Sequence, residues 1–211
     1  MSERNIRRIL LLRSPSYENM FFPPLALGVL TSFLRDLGYE TVQHDLNGRW
    51  KLARMPRSHP LASLRDAIRD NARIHQYLLG EPDKYLESAI ESILEDVDVS
   101  DADLVLLSPD IPFFESAKLA VLIAKTIKDR KDVPIVVGGE YQQFKPIDTL
   151  FEFLHTKGII DYQVHGPGEN ALAELIAMLD GSADPGSVPG LVWMDGPRVK
   201  KNPFTLNTRP I

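Results

Sequence analysis

Asp103-Leu104-Val105-Leu106-Leu107-Ser108-Pro109-Asp110 is an unbroken apolar run that stops abruptly in turn-forming residues. A strand with one wet face alternates apolar and polar side chains, whereas a strand buried on both faces reads as a continuous apolar segment. The same form recurs upstream at Ile6 to Leu12, followed by Arg13-Ser14-Pro15-Ser16, and downstream at Ile135-Val136-Val137, followed by Gly138-Gly139-Glu140. Two shorter runs complete the set: Glu40 to His44 before Asp45-Leu46-Asn47-Gly48, and Ile159 to Val164 before His165-Gly166-Pro167-Gly168-Glu169.

Helical patterns separate these runs at Leu25 to Leu37, Glu115 to Lys128, Ile147 to Leu154 and Asn170 to Leu179, with Gly38 and Gly158 placed as helix stops. Strand and helix in alternation predict an α/β fold with a doubly wound, five-stranded parallel sheet covered on both faces. Residues 49–100 depart from the alternation. Leu61, Leu64 and Ile68, then Tyr85, Leu86, Ile90, Ile93 and Leu94, fall at helical spacings and predict an inserted helical cover. From Gly181 onward the chain is rich in Gly, Pro and Asp, with a small hairpin expected at Gly190 to Val199 around Asp195-Gly196. The expected division is an α/β domain over residues 1–180 and an extended tail or linker over 181–211.

The charge balance, 24 basic against 29 acidic residues for a net of −5, gives no field that attracts nucleic acid or anionic lipid. No apolar run approaches the roughly 20 residues that span a bilayer, and a cytoplasmic protein is expected. With 0 cysteines, the chain has no disulfide, thiolate metal site, iron–sulfur ligand or cysteine nucleophile of its own. His44, His59, His75, His155 and His165 form no HxH or HxxxH pair, so no preformed metal site is expected.

In an open parallel sheet the carboxyl ends of the strands meet the starts of the helices on one edge, where ligands settle. Five loops converge there: Ser14-Pro15-Ser16, Asp45-Leu46-Asn47-Gly48, Ser108-Pro109-Asp110, Gly138-Gly139-Glu140 and Gly166 to Glu169. Pro24 and Leu25 open the first helix beside them, and Gly28 is small enough for a close approach to a strand or ligand. Each feature also has a packing reading. The glycines make tight turns, Asp45 caps a turn, and Glu169 satisfies free N–H groups at a helix start. Neither GxGxxG after the first strand nor GxxxxGK[ST] is present, which disfavours dinucleotides and nucleoside triphosphates.

Several segments, in order, resemble the N-terminal cobalamin-binding domain of radical S-adenosylmethionine enzymes. They are Pro23-Pro24-Leu25-Ala26-Leu27-Gly28 with Leu30; Leu34, Leu37-Gly38-Tyr39-Glu40 and Asp45; Val136-Val137-Gly138-Gly139-Glu140; Asp161 with Gly166-Pro167-Gly168-Glu169-Asn170; and Val188-Pro189-Gly190-Leu191. The resemblance implies a Rossmann-like domain of flavodoxin-like strand order that holds a corrinoid across its strand ends. It assigns the cofactor-binding role to Ser14, Pro15, Ser16, Pro24, Leu25, Asp45, Leu46, Asn47, Ser108, Pro109, Asp110, Gly138, Gly139, Glu140, Gly166, Gly168 and Glu169. The cysteine cluster and the cobalt-ligating DxHxxG of cobalamin proteins are both missing, and Pro167 stands where the family usually carries a glutamate.

The expected function is therefore cobalamin binding for a radical S-adenosylmethionine catalytic domain, in the same chain or a separate one. Radical chemistry by this chain alone is excluded by its lack of cysteine. Two alternatives stand beside this reading. One is an interaction module that has lost its cofactor; the other is a small transferase using Asp45, Asp110 and Glu140.

Overall fold

The computed structural model describes residues 6–16, 25–47, 60–109, 114–139 and 147–203. The elements follow in chain order: β1 (Arg8–Arg13), α1 (Leu25–Asp36), β2 (Glu40–Asp45), α2 (Pro60–Arg69), α3 (Asn71–Leu78), α4 (Lys84–Ile93), β3 (Leu104–Ser108), α5 (Phe114–Arg130), β4 (Ile135–Gly139), α6 (Ile147–Thr156), β5 (Tyr162–His165), α7 (Gly168–Leu179), β6 (Leu191–Asp195) and β7 (Arg198–Lys201). They form one sheet of order β2-β1-β3-β4-β5-β6-β7. The first five strands of that order are parallel, and the last two run antiparallel.

Alternation along each central strand divides the core in two. Leu10, Leu12, Val105, Leu107, Ile135 and Val137 enter one cluster, which α2 to α6 cover. Ile9, Leu11, Leu104, Leu106, Val136 and Val164 enter the other, under Leu27 and Leu34 of α1 and Ala171, Leu172, Leu175 and Ile176 of α7. Helices on both faces explain why the strands are continuous apolar runs.

The expected sheet of five strands has seven. The hairpin at the end of the chain does not trail from the fold; Gln163 and Val164 of β5 pair with Val192 and Leu191 of β6. Burial drives this. Val188 and Leu191 are fully enclosed in the second cluster, so the hairpin gives β5 a paired neighbour and the core two more side chains.

The inserted segment is helical as expected and is tied by two aspartates. Asp70 caps α3 by accepting from Arg73 N–H at 3.0 Å, and Asp83 caps α4 by accepting from Tyr85 and Leu86 N–H, both at 3.1 Å. Asp83 also takes a forked contact from the Arg73 guanidinium, whose face lies 5.3 Å from the Tyr85 ring centre. This pair holds the Asp83 carboxyl below its ordinary range.

The amino-terminal edge of the sheet is closed by carboxylates. Asp103 accepts from Arg7 and Arg8 N–H (2.9 and 2.8 Å), Asp161 from Ile135 N–H (2.7 Å) and the Lys128 ammonium (2.9 Å), and Asp180 from Ile6 N–H (3.2 Å). No helix among the described residues is long and apolar enough to cross a membrane. Asp161→Ala leaves the Ile135 N–H at the start of β4 without its acceptor and Lys128 with only its longer contact to the exposed Asp132, and is expected to cost about 1–3 kcal/mol in a urea unfolding titration. Asp101→Ala, which removes only an exposed pairing with Arg8, is expected to cost less than about 1 kcal/mol; equal losses would contradict the assignment.

Candidate functional site

A cavity of about 580 Å³ opens at the carboxyl edge of β1, β3, β4 and β5, on the face that α1 and α7 cover. Its floor is Leu11, Leu106, Val136 and Val164; its walls are the first turns of α1 from Leu25 to Leu30 and Leu172 of α7. The rim is backbone-rich: Ser108-Pro109 after β3, Gly138-Gly139 at the end of β4, and Gly166-Pro167-Gly168-Glu169 leading into α7. Ser108 and Glu169 contribute the polar side chains of this lining.

Two glycines shape it for different reasons. Gly166 turns the chain at φ +88°, a conformation that side chains with a Cβ avoid. At Gly168 a Cβ would sit 3.0 and 3.4 Å from the two terminal carbons of Leu30, so the missing side chain is what lets α7 lean on α1. The close approach expected at Gly28 lies elsewhere, because a Cβ on Gly28 would meet no protein atom within 4 Å. At Gly138 an added Cβ would meet only Val164 O, at 3.7 Å, an ordinary contact. Packing therefore does not demand glycine at 138, yet its absent side chain keeps the cavity floor open.

Of the residues singled out in the sequence, Leu25, Ser108, Pro109, Gly138, Gly139, Gly166, Gly168 and Glu169 come together around this cavity. Ser14, Pro15, Ser16, Asp45, Leu46 and Asn47 are not among its lining. They form a buried knot between the loops after β1 and β2. Ser14 N–H donates to Ser108 O (3.0 Å) and its hydroxyl to Ser116 O (2.8 Å); Ser16 N–H donates to Asn47 Oδ1 (2.8 Å). Asn47 N–H in turn donates to Asp45 Oδ1 (3.1 Å), whose other oxygen faces the enclosed Arg13 guanidinium at 3.4 Å. Leu46 is buried in the core on the opposite face of the sheet. Pro23, Pro24, Gly48, Asp110 and Glu140 lie outside the described residues.

His165 ends β5 directly across from Gly139, and its N–H donates to Gly190 O at 2.9 Å. Burial holds its imidazole below the ordinary value near 6.5, which favours the neutral ring at neutral pH. Among the described residues no group of three His, Asp or Glu side chains is disposed to hold a metal ion.

Sequence reasoning missed the floor and most of the walls, because these residues are chemically identical to core. One signal was present. Leu25-Ala26-Leu27-Gly28-Val29-Leu30 is apolar around its whole circumference, more than one buried helix face requires, and Leu25 is 80% exposed.

Comparison with solved structures finds this architecture in much longer proteins. The radical S-adenosylmethionine methyltransferase TsrM from Kitasatospora setae, solved with cobalamin and a [4Fe-4S] cluster bound, matches 95% of this chain and 29% of its own (TM-score 0.53, 24% identity). The same enzyme with tryptophan substrate and a SAM analog matches 93% of this chain and 30% of its own (TM-score 0.53, 23% identity). The cobalamin-dependent S-adenosylmethionine radical enzyme OxsB, with aqua-cobalamin and S-adenosylmethionine bound, matches 95% and 22% (TM-score 0.60, 18% identity). The likeness is one of fold. This chain thus spans between 22% and 30% of the length of these proteins. No protein-family model and no curated protein sequence matches it.

The knot and the cavity make separable demands. Asn47→Ala leaves a buried N–H of Ser16 without its acceptor and is expected to cost about 1–3 kcal/mol of stability by denaturant titration. Asn47→Asp, which keeps an acceptor at the same place, is expected to lose less; the reverse order would remove the knot from the account.

Proposed function

We propose that this chain is a corrinoid-binding domain serving a radical S-adenosylmethionine catalytic centre carried elsewhere, on the same polypeptide or on another. The observation that carries the reading is the cavity itself: an apolar, glycine-rimmed opening at the carboxyl edge of a sheet shared with cobalamin-carrying enzymes. The transferase alternative gains no such support, since Asp45 is engaged with Arg13 and Asn47.

The residues present fit such a ligand. A wide, flat macrocycle is held by broad van der Waals contact and close backbone approach. Gly138 supplies that approach at a position where the protein's own packing would tolerate a side chain. Pro167 stands at the N-cap of α7 and makes no side-chain capping bond. The first N–H groups of that helix, from Gly168 and Glu169 on the cavity rim, are therefore suited to donate to amide oxygens at the corrinoid edge. The Ser108 hydroxyl serves as a further donor or acceptor on the rim. What the described lining offers such a ligand is broad contact and hydrogen bonds.

When bound, a corrinoid supplies a cobalt centre able to carry and release an alkyl group. This chain's part is to grip and orient it. The iron–sulfur cluster of a radical enzyme needs thiolates, and with 0 cysteines here it belongs to the partner domain.

Titration with hydroxocobalamin and with methylcobalamin, followed by desalting, is expected to leave colour on the protein. Gly138→Leu, which fills the floor, is expected to weaken retention at least about tenfold while leaving the fold intact by circular dichroism. Loss of both cobalamins from the unaltered chain would refute the reading.

A further inference from the structure

We infer that Lys118 is a modification site, whose amine takes an acyl group and whose acylation releases the helical insertion from α5.

Lys118 stands one turn into α5 and reaches out of that helix to the end of another. Its ammonium donates to Ile68 O at 2.8 Å, across 50 residues of chain. Ile68 is next to the last residue of α2, so its carbonyl is one of those with no N–H ahead of it in its own helix. A cation there also meets the negative end of the helix dipole. Beyond this point the chain turns sharply, since α2 ends at Arg69, Asp70 caps α3, and α3 starts at Asn71. Arg69, more than half exposed, adds a looser contact to Glu115 of α5 at 3.5 Å. Lys118 is therefore the firmer polar tie between this corner of the insertion and α5.

Neighbouring lysines are held differently. Lys125 pairs with Asp129 at 2.7 Å and Lys128 with Asp161 at 2.9 Å, and a carboxylate at that distance keeps an amine protonated. Just past the helix, Lys131 grips two carbonyls, Ser100 O and Ala102 O. Lys118 has one neutral carbonyl, and no carboxylate among the described residues forms an ion pair with it. Half-buried, it gives up water without gaining a counter-charge at contact. Burial accordingly lowers it below the ordinary amine range, with Glu115 and Asp70 opposing at longer range. A desolvated lysine of this kind is the nucleophilic one.

The co-reactant is an acyl thioester. The neutral Lys118 nitrogen attacks its carbonyl carbon, a C–N bond forms as the C–S bond breaks, the sulfur leaves as thiolate, and the proton shed by nitrogen goes to solvent. The product carries no charge and a single N–H, with an acyl group to house beside the enclosed Ile68. The grip on Ile68 O is lost, and the corner between α2 and α3 opens locally while the sheet stays closed.

The test is incubation of the full chain with acetyl coenzyme A at mildly alkaline pH, followed by peptide mass spectrometry at early times. Lys118 is expected to be acetylated at least about threefold faster than the exposed Lys84 and Lys157, and faster still than Lys125 and Lys128. A rate at Lys118 no higher than at Lys84 and Lys157 overturns the assignment of the site. Hydrogen exchange on the chain acetylated at Lys118, and on Lys118→Gln, tests the release. Amides from Ala67 to Ile74 are expected to exchange at least about tenfold faster, with those of β1, β3 and β4 within about twofold; Lys118→Arg, which keeps a cation, is expected to stay within about threefold throughout. Unchanged exchange at the corner of the acetylated chain, or equal acceleration in the strands, overturns the release. Should Lys118→Gln fail to fold, the acetylated native chain gives the same reading.

Discussion

A parallel sheet must be covered on both faces, and the rest of this molecule follows from that requirement. Helices can dock on both sides only if the strands present apolar side chains in alternate directions, as Leu10 and Leu11 or Leu106 and Leu107 do. Polar function is thereby driven out of the sheet and onto its two edges, where strands end and unpaired backbone groups emerge.

The two edges are finished differently. On the amino-terminal edge Asp103, Asp161 and Asp180 accept the N–H groups of strand starts and of the chain just before β1, so that edge is sealed by the protein's own side chains. On the carboxyl edge the work is divided. The loops after β1 and β2 are locked together through Ser16, Asn47 and Asp45, while Ser108-Pro109 at the end of β3 and the glycines at 138, 139, 166 and 168 line a cavity. The locked pair fixes a rigid frame beside which the open loops are held in place. The helical insertion packs in the cluster on the other face of the sheet, and no described residue of it lines the cavity. Its described helices cover that core.

Much of this was legible in the sequence. Continuous apolar runs with turn residues behind them gave the five parallel strands, and Gly38, at φ +88° with Tyr39 N–H returning to Leu34 O, ends the first helix where expected. The antiparallel extension was not read as part of the sheet, although Leu191-Val192-Trp193 is an apolar run, because pairing with β5 is a nonlocal choice that a local pattern does not encode. The site was half legible. Glycines mark open backbone wherever they fall, so the loops after β4 and β5 were found. Asp45 and Asn47 were ambiguous because an amide or carboxylate behind a strand serves a ligand or a neighbouring N–H with the same chemistry. Asp161, part of the resemblance to cobalamin-binding domains, sits on the edge opposite the cavity, where it secures β4. The floor and walls were hidden, since Leu11 or Leu172 in a cavity looks no different in sequence from leucine in a core.

The proposed seat of a corrinoid is the carboxyl-edge loops after β3, β4 and β5. Nitrogen-15 correlation spectra of the chain, with and without hydroxocobalamin, test it residue by residue. The account predicts shifts at the amides of Ser108, Gly138, Gly139, Gly166 and Gly168, with Gly158, Gly181 and Gly196 unmoved. Saturable shifts confined to the insertion, the amino-terminal edge or the hairpin, or no shifts at all, would contradict it.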